Sequence, residues 1–304
     1  MRLALLLLLL PAIAFSASAQ SATARPRRSF SEVGAEAGAQ FWCPMHPDER
    51  ADVRGTCRIC GMTLGPMPAA AFATYPVDLR VTPTLTGARL RLAVPQPATR
   101  APRQGPGHAL VRRFSIVHER PMHLFIVGEG LDYFVHEHPV PQPDGVFMLD
   151  VRLPRPGPYM AIAEFLPEGG TPQIFQQMFT TGEAFGRPAA PPIDVVAKVV
   201  DGVRVSLDAS TVKAGDTKTL AFRIEDAVSG APVTDLEPYL GASAHLLIVP
   251  VDLTEALHGH PTDEGHGPGL AFAPLVPRPG RYKAWIQFAR AGRVSTTAFV
   301  IDVP

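Results

Sequence analysis

Cysteine is nearly absent from this chain of 304 residues: there are three, and all lie between residues 43 and 60. An odd number cannot all pair within one molecule, so at least one thiol has another role. Charge of either sign is not in excess, with 28 basic and 28 acidic residues, so no long-range field favours nucleic acid or an anionic membrane surface. Long apolar runs are missing after the first fifteen residues, and no later stretch reaches the ~18 residues that a membrane-spanning helix needs. No segment keeps a 3.6-residue apolar period, which predicts an almost helix-free protein. Nucleophile elbows of the Gly-x-Ser-x-Gly kind and phosphate-binding glycine loops are also missing.

Proline and glycine are abundant, 33 and 26 residues, and punctuate many short β-branched runs. The first nineteen residues combine Arg2, an apolar run from Leu3 to Phe15 and the small-x-small triplet Ala17-Ser18-Ala19, which reads as a cleaved export signal. That reading places the mature protein in the periplasm or outside the cell. Residues 20–40 are small and polar and predict a disordered leader. From about Tyr75 the character changes to strand-like alternation, and a proline- and alanine-rich linker over 183–192 divides the remainder.

The regions on either side of that linker are copies of each other. "MHLFIVGEGLDYFVHEHP" (122–139) aligns without a gap on "AHLLIVPVDLTEALHGHP" (244–261) with 8 of 18 positions identical, and "LPRPGPYMAIAEF" (153–165) follows in register with "VPRPGRYKAWIQF" (276–288). Agreement over more than one block marks an internal duplication. Each copy, 75–182 and 193–304, has the size and strand density of an immunoglobulin-like β-sandwich. The second copy divides into eight strand-like runs, with "ARAG" as a hairpin turn near its end. The expected fold class is therefore all-β: a small metal-binding module at 41–68, then two tandem immunoglobulin-like sandwiches.

Within the module the spacing is Cys43-x2-His46, ten residues, then Cys57-x2-Cys60. Two x2 chelates brought together make the three-cysteine, one-histidine set of structural zinc sites, and so short a segment needs the metal to fold. Met45 and Met62 add thioethers, which favour soft ions such as Cu(I), so copper and zinc both remain open. A Cys57–Cys60 disulfide with Cys43 free is the alternative. "FWCPMHPDERADVRGTCRICGMTLGP" (41–66) strongly resembles the short heavy-metal-binding domain at the ends of copper and silver efflux ATPases and of periplasmic adaptors of metal-efflux pumps. The match runs through Phe41, Cys43, Pro44, Met45, His46, Pro47, Gly55, Cys57, Cys60, Gly61, Met62 and Leu64, and departs at Arg58, where the family usually has proline. The resemblance implies binding of copper, silver, zinc or a similar ion, and makes an efflux pump or another envelope protein a candidate partner.

Six histidines occupy equivalent places in the copies: His123, His136 and His138, then His245, His258 and His260. Residues i and i+2 of a strand point the same way about 6.5 Å apart, so each His-x-His pair can offer two imidazoles to one ion. The third joins them if the hairpin from 123 to 138 pairs with an odd index sum, 259 or 261; a sum of 260 turns it away. Three imidazoles would suit Cu(II) or Zn(II), with Asp263, Glu264 and His266 as a further ligand supply in the second copy. Packing histidines kept because the fold was duplicated whole are the alternative. His108 and His118 read as surface residues, and the repeated Pro-Arg-Pro-Gly with Tyr159, Tyr282 and Trp285 reads as turn and core.

These readings point to an exported heavy-metal-binding protein that sequesters ions or hands them on, not an enzyme. A sandwich interaction module with a structural metal clip is one alternative. A triple-histidine metalloenzyme is the other, though no acid recurs beside both clusters as a general base, Glu137 being Gly259 in the second copy.

Overall fold

A computed structural model of the chain describes residues 41–42, 50–51, 53–56, 63–66, 74–97, 109–183, 188–216, 218–263 and 265–304. Among these residues every regular element is a β-strand. The first three, β1 (Phe41–Trp42), β2 (Arg50–Ala51) and β3 (Gly65–Pro66), form a small antiparallel sheet in the order β2-β1-β3. Leu64 is buried there against Phe41 and Ala51, and Trp42 is buried as well.

The first sandwich packs two four-stranded sheets. One is β4 (Asp78–Thr84), β5 (Gly87–Ala93), β9 (Val146–Arg152) and β8 (Val140–Pro141), in that order. The other has the order β11 (Gln173–Thr181), β10 (Gly157–Phe165), β6 (Met122–Gly128) and β7 (Phe134–Glu137). Leu90, Leu92 and Phe147 from the first sheet meet Leu124, Ile126, Tyr159 and Ala161 from the second. The strand β5 shows the alternation that one buried face demands, with Arg89 on its outer face paired to Asp150.

The second sandwich repeats the plan with β12 (Lys198–Val200), β13 (Val203–Asp208), β14 (Leu220–Asp226) and β17 (Gly269–Phe272) facing a sheet of order β16 (Leu257–Gly259), β15 (His245–Pro250), β18 (Gly280–Arg290) and β19 (Arg293–Val303). All eight strand-like runs read from its sequence are strands, and the Ala291-Gly292 turn joins β18 to β19, both residues at positive φ. The copies differ in strand order: β14 lies between β13 and β17, whereas β5 pairs directly with β9, which carries β8 on its other side. The Pro-Arg-Pro-Gly turns behave alike. Gly157 and Gly280 take φ values of 143° and 147°, which a side chain disfavours, and the hydroxyls of the buried Tyr159 and Tyr282 donate back to the carbonyls of Arg155 and Arg278 at 2.7 and 2.8 Å.

The histidine-bearing sheets also pack against each other. Phe125, Val127, Met160 and Ile162 of the first sandwich and Leu247, Val249 and Trp285 of the second form a third buried core between the domains. Trp285, expected to fill the core of its own sandwich, lies instead in this interface, its ring stacked 5.2 Å from that of Phe134. Burial on both faces explains why β6 and β15 are continuous apolar runs with every residue buried: Leu124 and Ile126 face the sandwich core while Phe125 and Val127 face the partner sheet. Each fully buried large side chain stabilises by roughly 1.5–3 kcal/mol, so the eight such side chains between the sandwiches make their docking part of the fold.

Candidate metal centre

The hairpin of β6 and β7 settles where the first three histidines point. Leu124 pairs with Glu137 and Phe125 with His136, an index sum of 261, so His123 falls opposite His138 on the same face. In the second copy Leu246 pairs with Gly259, which sets His245 opposite His260 in the same way. The ligand atoms of His123, His136 and His138 all lie within 4.8 Å of one another, and so do those of His245, His258 and His260. His123, His136, His245 and His258 are buried, while His138 and His260 are partly exposed.

Which nitrogens face inward follows from what holds the outward ones. The carbonyl of Val117 accepts from His123 Nε2 at 2.9 Å, and that of Tyr239 accepts from His245 Nε2 at 2.9 Å. Carbonyls only accept, so both Nε2 atoms carry the proton and both Nδ1 atoms present lone pairs. His136 Nδ1 donates to Gln287 Oε1 at 2.9 Å, the amide being oriented by its Nε2 donating to Thr296 Oγ1, and His258 Nδ1 donates to the Glu164 carboxylate at 2.6 Å. Burial keeps the His136 ring neutral, so its Nε2 presents a lone pair, and Nε2 of His258 takes the equivalent place in the second triad. His123 Nδ1 stands 3.0 Å from His136 Nε2, lone pair against lone pair, and His245 Nδ1 stands 3.2 Å from His258 Nε2. The third rings approach the same points, with Nε2 of His138 3.3 Å from His123 Nδ1 and Nε2 of His260 3.1 Å from His245 Nδ1.

Such an arrangement asks for a cation. In the first triad a proton on His138 can satisfy one lone pair but leaves the other facing its neighbour. An ion with ~2.0–2.1 Å bonds to nitrogen on a tetrahedron spaces its donors roughly 3.3 Å apart, close to the separations seen. All-imidazole donor sets suit zinc, copper, nickel or iron, and not magnesium or calcium. Electrostatics agree. Burial, reinforced by the other histidines, holds the imidazole of His136 far below its ordinary value and lowers those of His245 and His260 strongly; burial also lowers His123, and brings His138 down to about 4. These five rings stay neutral at physiological pH, the form that binds metal.

The two triads adjoin. Ring centroids of His136 and His245 are 5.5 Å apart, those of His123 and His258 6.2 Å. Their supports cross between domains: Glu164 on β10 serves His258, and Gln287 on β18, the equivalent position, serves His136. Both are buried, although glutamate and glutamine are mostly exposed residues. His118 is a further residue of the centre. Expected on the surface, it lies with its ring 3.9 Å from that of His260, and burial brings its pKa down to about 4. Its signal was a lone histidine in a tight turn, Val117 to Arg120, which matches the turn from Tyr239 to Ala242. Glu164 and Gln287 had a clearer one: single polar residues inside otherwise apolar strands. His266 does not join the second triad, because its Nδ1 donates to the carbonyl of Leu236 at 2.8 Å; Asp263 is outside the triad too, and His108 and Glu264 lie outside the described residues.

Cys43, Met45, His46, Cys57, Cys60 and Met62 also lie outside the described residues. What is described is their frame: Trp42 pairs with Arg50, Thr56 bridges to Thr63, and Leu64 donates to the Gly55 carbonyl at 2.8 Å, so the flanks of both ligand-bearing stretches are held together.

Fold and centre together define an all-β protein of two immunoglobulin-like sandwiches with paired histidine triads at their junction, preceded by a short segment of different chemistry. The heavy metal binding domain family matches residues 40–67, so the chain carries a heavy-metal-binding segment there. A family described only as a domain of unknown function, DUF8832, matches residues 197–304, the second sandwich. A search of curated protein sequences returned no match. Among solved structures, a two fibronectin type-III domain segment from chicken tenascin is 14% identical, covering 75% of this chain and 99% of that one at a TM-score of 0.22. The FN1–FN3 domains of chicken CNTN1 are 10% identical, covering 82% and 76% at a TM-score of 0.20.

Proposed function

We propose that this is an exported protein of the cell envelope that binds copper, silver or zinc, and that it sequesters such ions or hands them to an efflux system without transforming them. The single observation that carries the reading is the convergence, twice, of imidazole nitrogens 3.0–3.3 Å apart, with two bare nitrogens facing each other in the first triad. The export signal read in residues 1–19 and the heavy-metal-binding segment at 40–67 support it from outside the sandwiches. In the segment, thiolates and thioethers suit Cu(I) and silver; in the centre, imidazoles suit Cu(II) and Zn(II). A protein with both can hold one element in either oxidation state. Against catalysis stands the use of Glu164, the buried acid of the centre: it orients His258 and so is engaged as a support and not free as a base.

Metal analysis of purified, dialysed protein tests the reading. Intact protein is expected to retain ions at both places, Cys43→Ser to lose only the share held by the segment, and His136→Ala/His138→Ala only that of the first triad. Retention of none by the intact protein overturns it.

A further inference from the structure

Resting on that reading, we infer that the two triads form one two-ion centre with unequal positions, and that the triad His245, His258 and His260 fills first because the other sandwich backs it with Glu164. The positions share a ligand set and a register, so whatever separates them comes from the surroundings. Two differences stand out, both at equivalent sites of the duplication. His258 donates to a buried carboxylate at 2.6 Å, whereas His136 donates to a buried neutral amide at 2.9 Å. A carboxylate accepts only, so it fixes the proton on Nδ1 and raises the basicity of Nε2 toward a cation. An amide can rotate and donate instead, so it holds the tautomer less firmly and adds no charge. Secondly, the turn that lays His118 against His260 places Leu240 at the matching position of the second sandwich.

Charge arithmetic runs the same way. A divalent ion in the second triad has a buried carboxylate hydrogen-bonded to one of its ligand rings; the first triad has Glu164 only as the cross-strand neighbour of His123, bonded to the other triad, and an ion there faces the neighbouring ion across rings only 5.5–6.5 Å apart. Binding of the first ion therefore opposes the second, and the carboxylate decides the order. The supports cross the interface, so each position is completed by the other sandwich, and loading either one ties the domains together.

The test uses the full chain with Cys43, Cys57 and Cys60 replaced by serine, titrated with zinc(II) against a chelating indicator, and repeated with Glu164→Gln and Gln287→Glu. The parent is expected to bind two ions in separate steps. Glu164→Gln, which makes the two supports identical, should weaken the tighter step by about 10–100-fold and bring the steps together, while Gln287→Glu should strengthen the weaker one by a similar factor. Should Glu164→Gln fail to fold in a metal-free melt, Gln287→Glu decides alone. A single ion, or two steps that neither substitution moves, overturns the inference and leaves the proposed function standing. Binding of no ion instead removes the histidine centre from that function.

Discussion

The heavy-metal-binding segment and the histidine centre offer metal-ligating groups from opposite kinds of scaffold. Around the segment the described apolar core amounts to Leu64 with Phe41 and Ala51, beside the buried Trp42. The histidine centre sits beside the core between the sandwiches, with His136 and His258 against Phe125, on sheets whose other faces build the core of each sandwich. A ligand set on so small a core depends on its ion to order it, and structural metal binding is worth roughly 10–16 kcal/mol to small modules. A ligand set on paired sheets is built before the ion arrives, and the fold sustains the strain of lone pairs facing each other. On the proposed function, the first scaffold would gain structure by binding, whereas the second would bind because its structure is already there.

The comparison breaks most visibly if both places respond alike to metal removal. The chain has two tryptophans, Trp42 and Trp285, one in each region. In a Trp285→Phe variant, chelation should shift the emission of Trp42 to the red as the segment opens, while the strand signal in circular dichroism stays unchanged; loss of that strand signal would make the sandwiches equally metal-dependent. Next in size comes the interface. Trp285→Ala should cost about 3–5 kcal/mol by thermal or urea unfolding and weaken zinc uptake at the centre as well, because docking supplies the supporting groups. Destabilisation with unaltered uptake would mean that each triad stands without the other sandwich.

A smaller effect concerns pH. Histidine in the unfolded chain titrates near 6.5, while His118 and His138 in the metal-free fold are lowered to about 4. The folded state cannot take up protons that the unfolded state accepts between these values. The metal-free protein should therefore be at full stability above pH 6.5 and lose stability steadily as pH falls toward 4. A melting temperature flat across that window would contradict the burial of neutral rings. The smallest effect is expected at Glu137, exposed on β7 and replaced by Gly259 in the other copy: Glu137→Gln should leave metal uptake unchanged, and a changed uptake would give the first triad an acid of its own.

Much of this was legible in the residues. Alternating apolar runs and their punctuation gave the strands of the second sandwich, and the duplicated blocks picked out the six histidines before any pairing was known. Even the two possible hairpin registers were enumerable, since the side-chain period of a strand is two. What the residues concealed was the joining of the two triads. Local spacing fixes which histidines share one face of one sheet, but not which sheet that face meets. The clue lay in β6 and β15, whose apolar runs do not alternate and so require cover on both sides. Glu164 and Gln287 could be singled out as misfits in apolar strands, yet their partners lie 94 and 151 residues away, across an interface that only docking creates.

X-ray absorption at the zinc edge of the cysteine-free, zinc-loaded protein tests the central claim most directly. The account predicts a first shell of nitrogen at ~2.0–2.1 Å with the outer-shell scattering of imidazole rings, lost together with the ion in a His123→Ala/His245→Ala variant. A shell of oxygen alone, or a sample that retains no zinc, would contradict it.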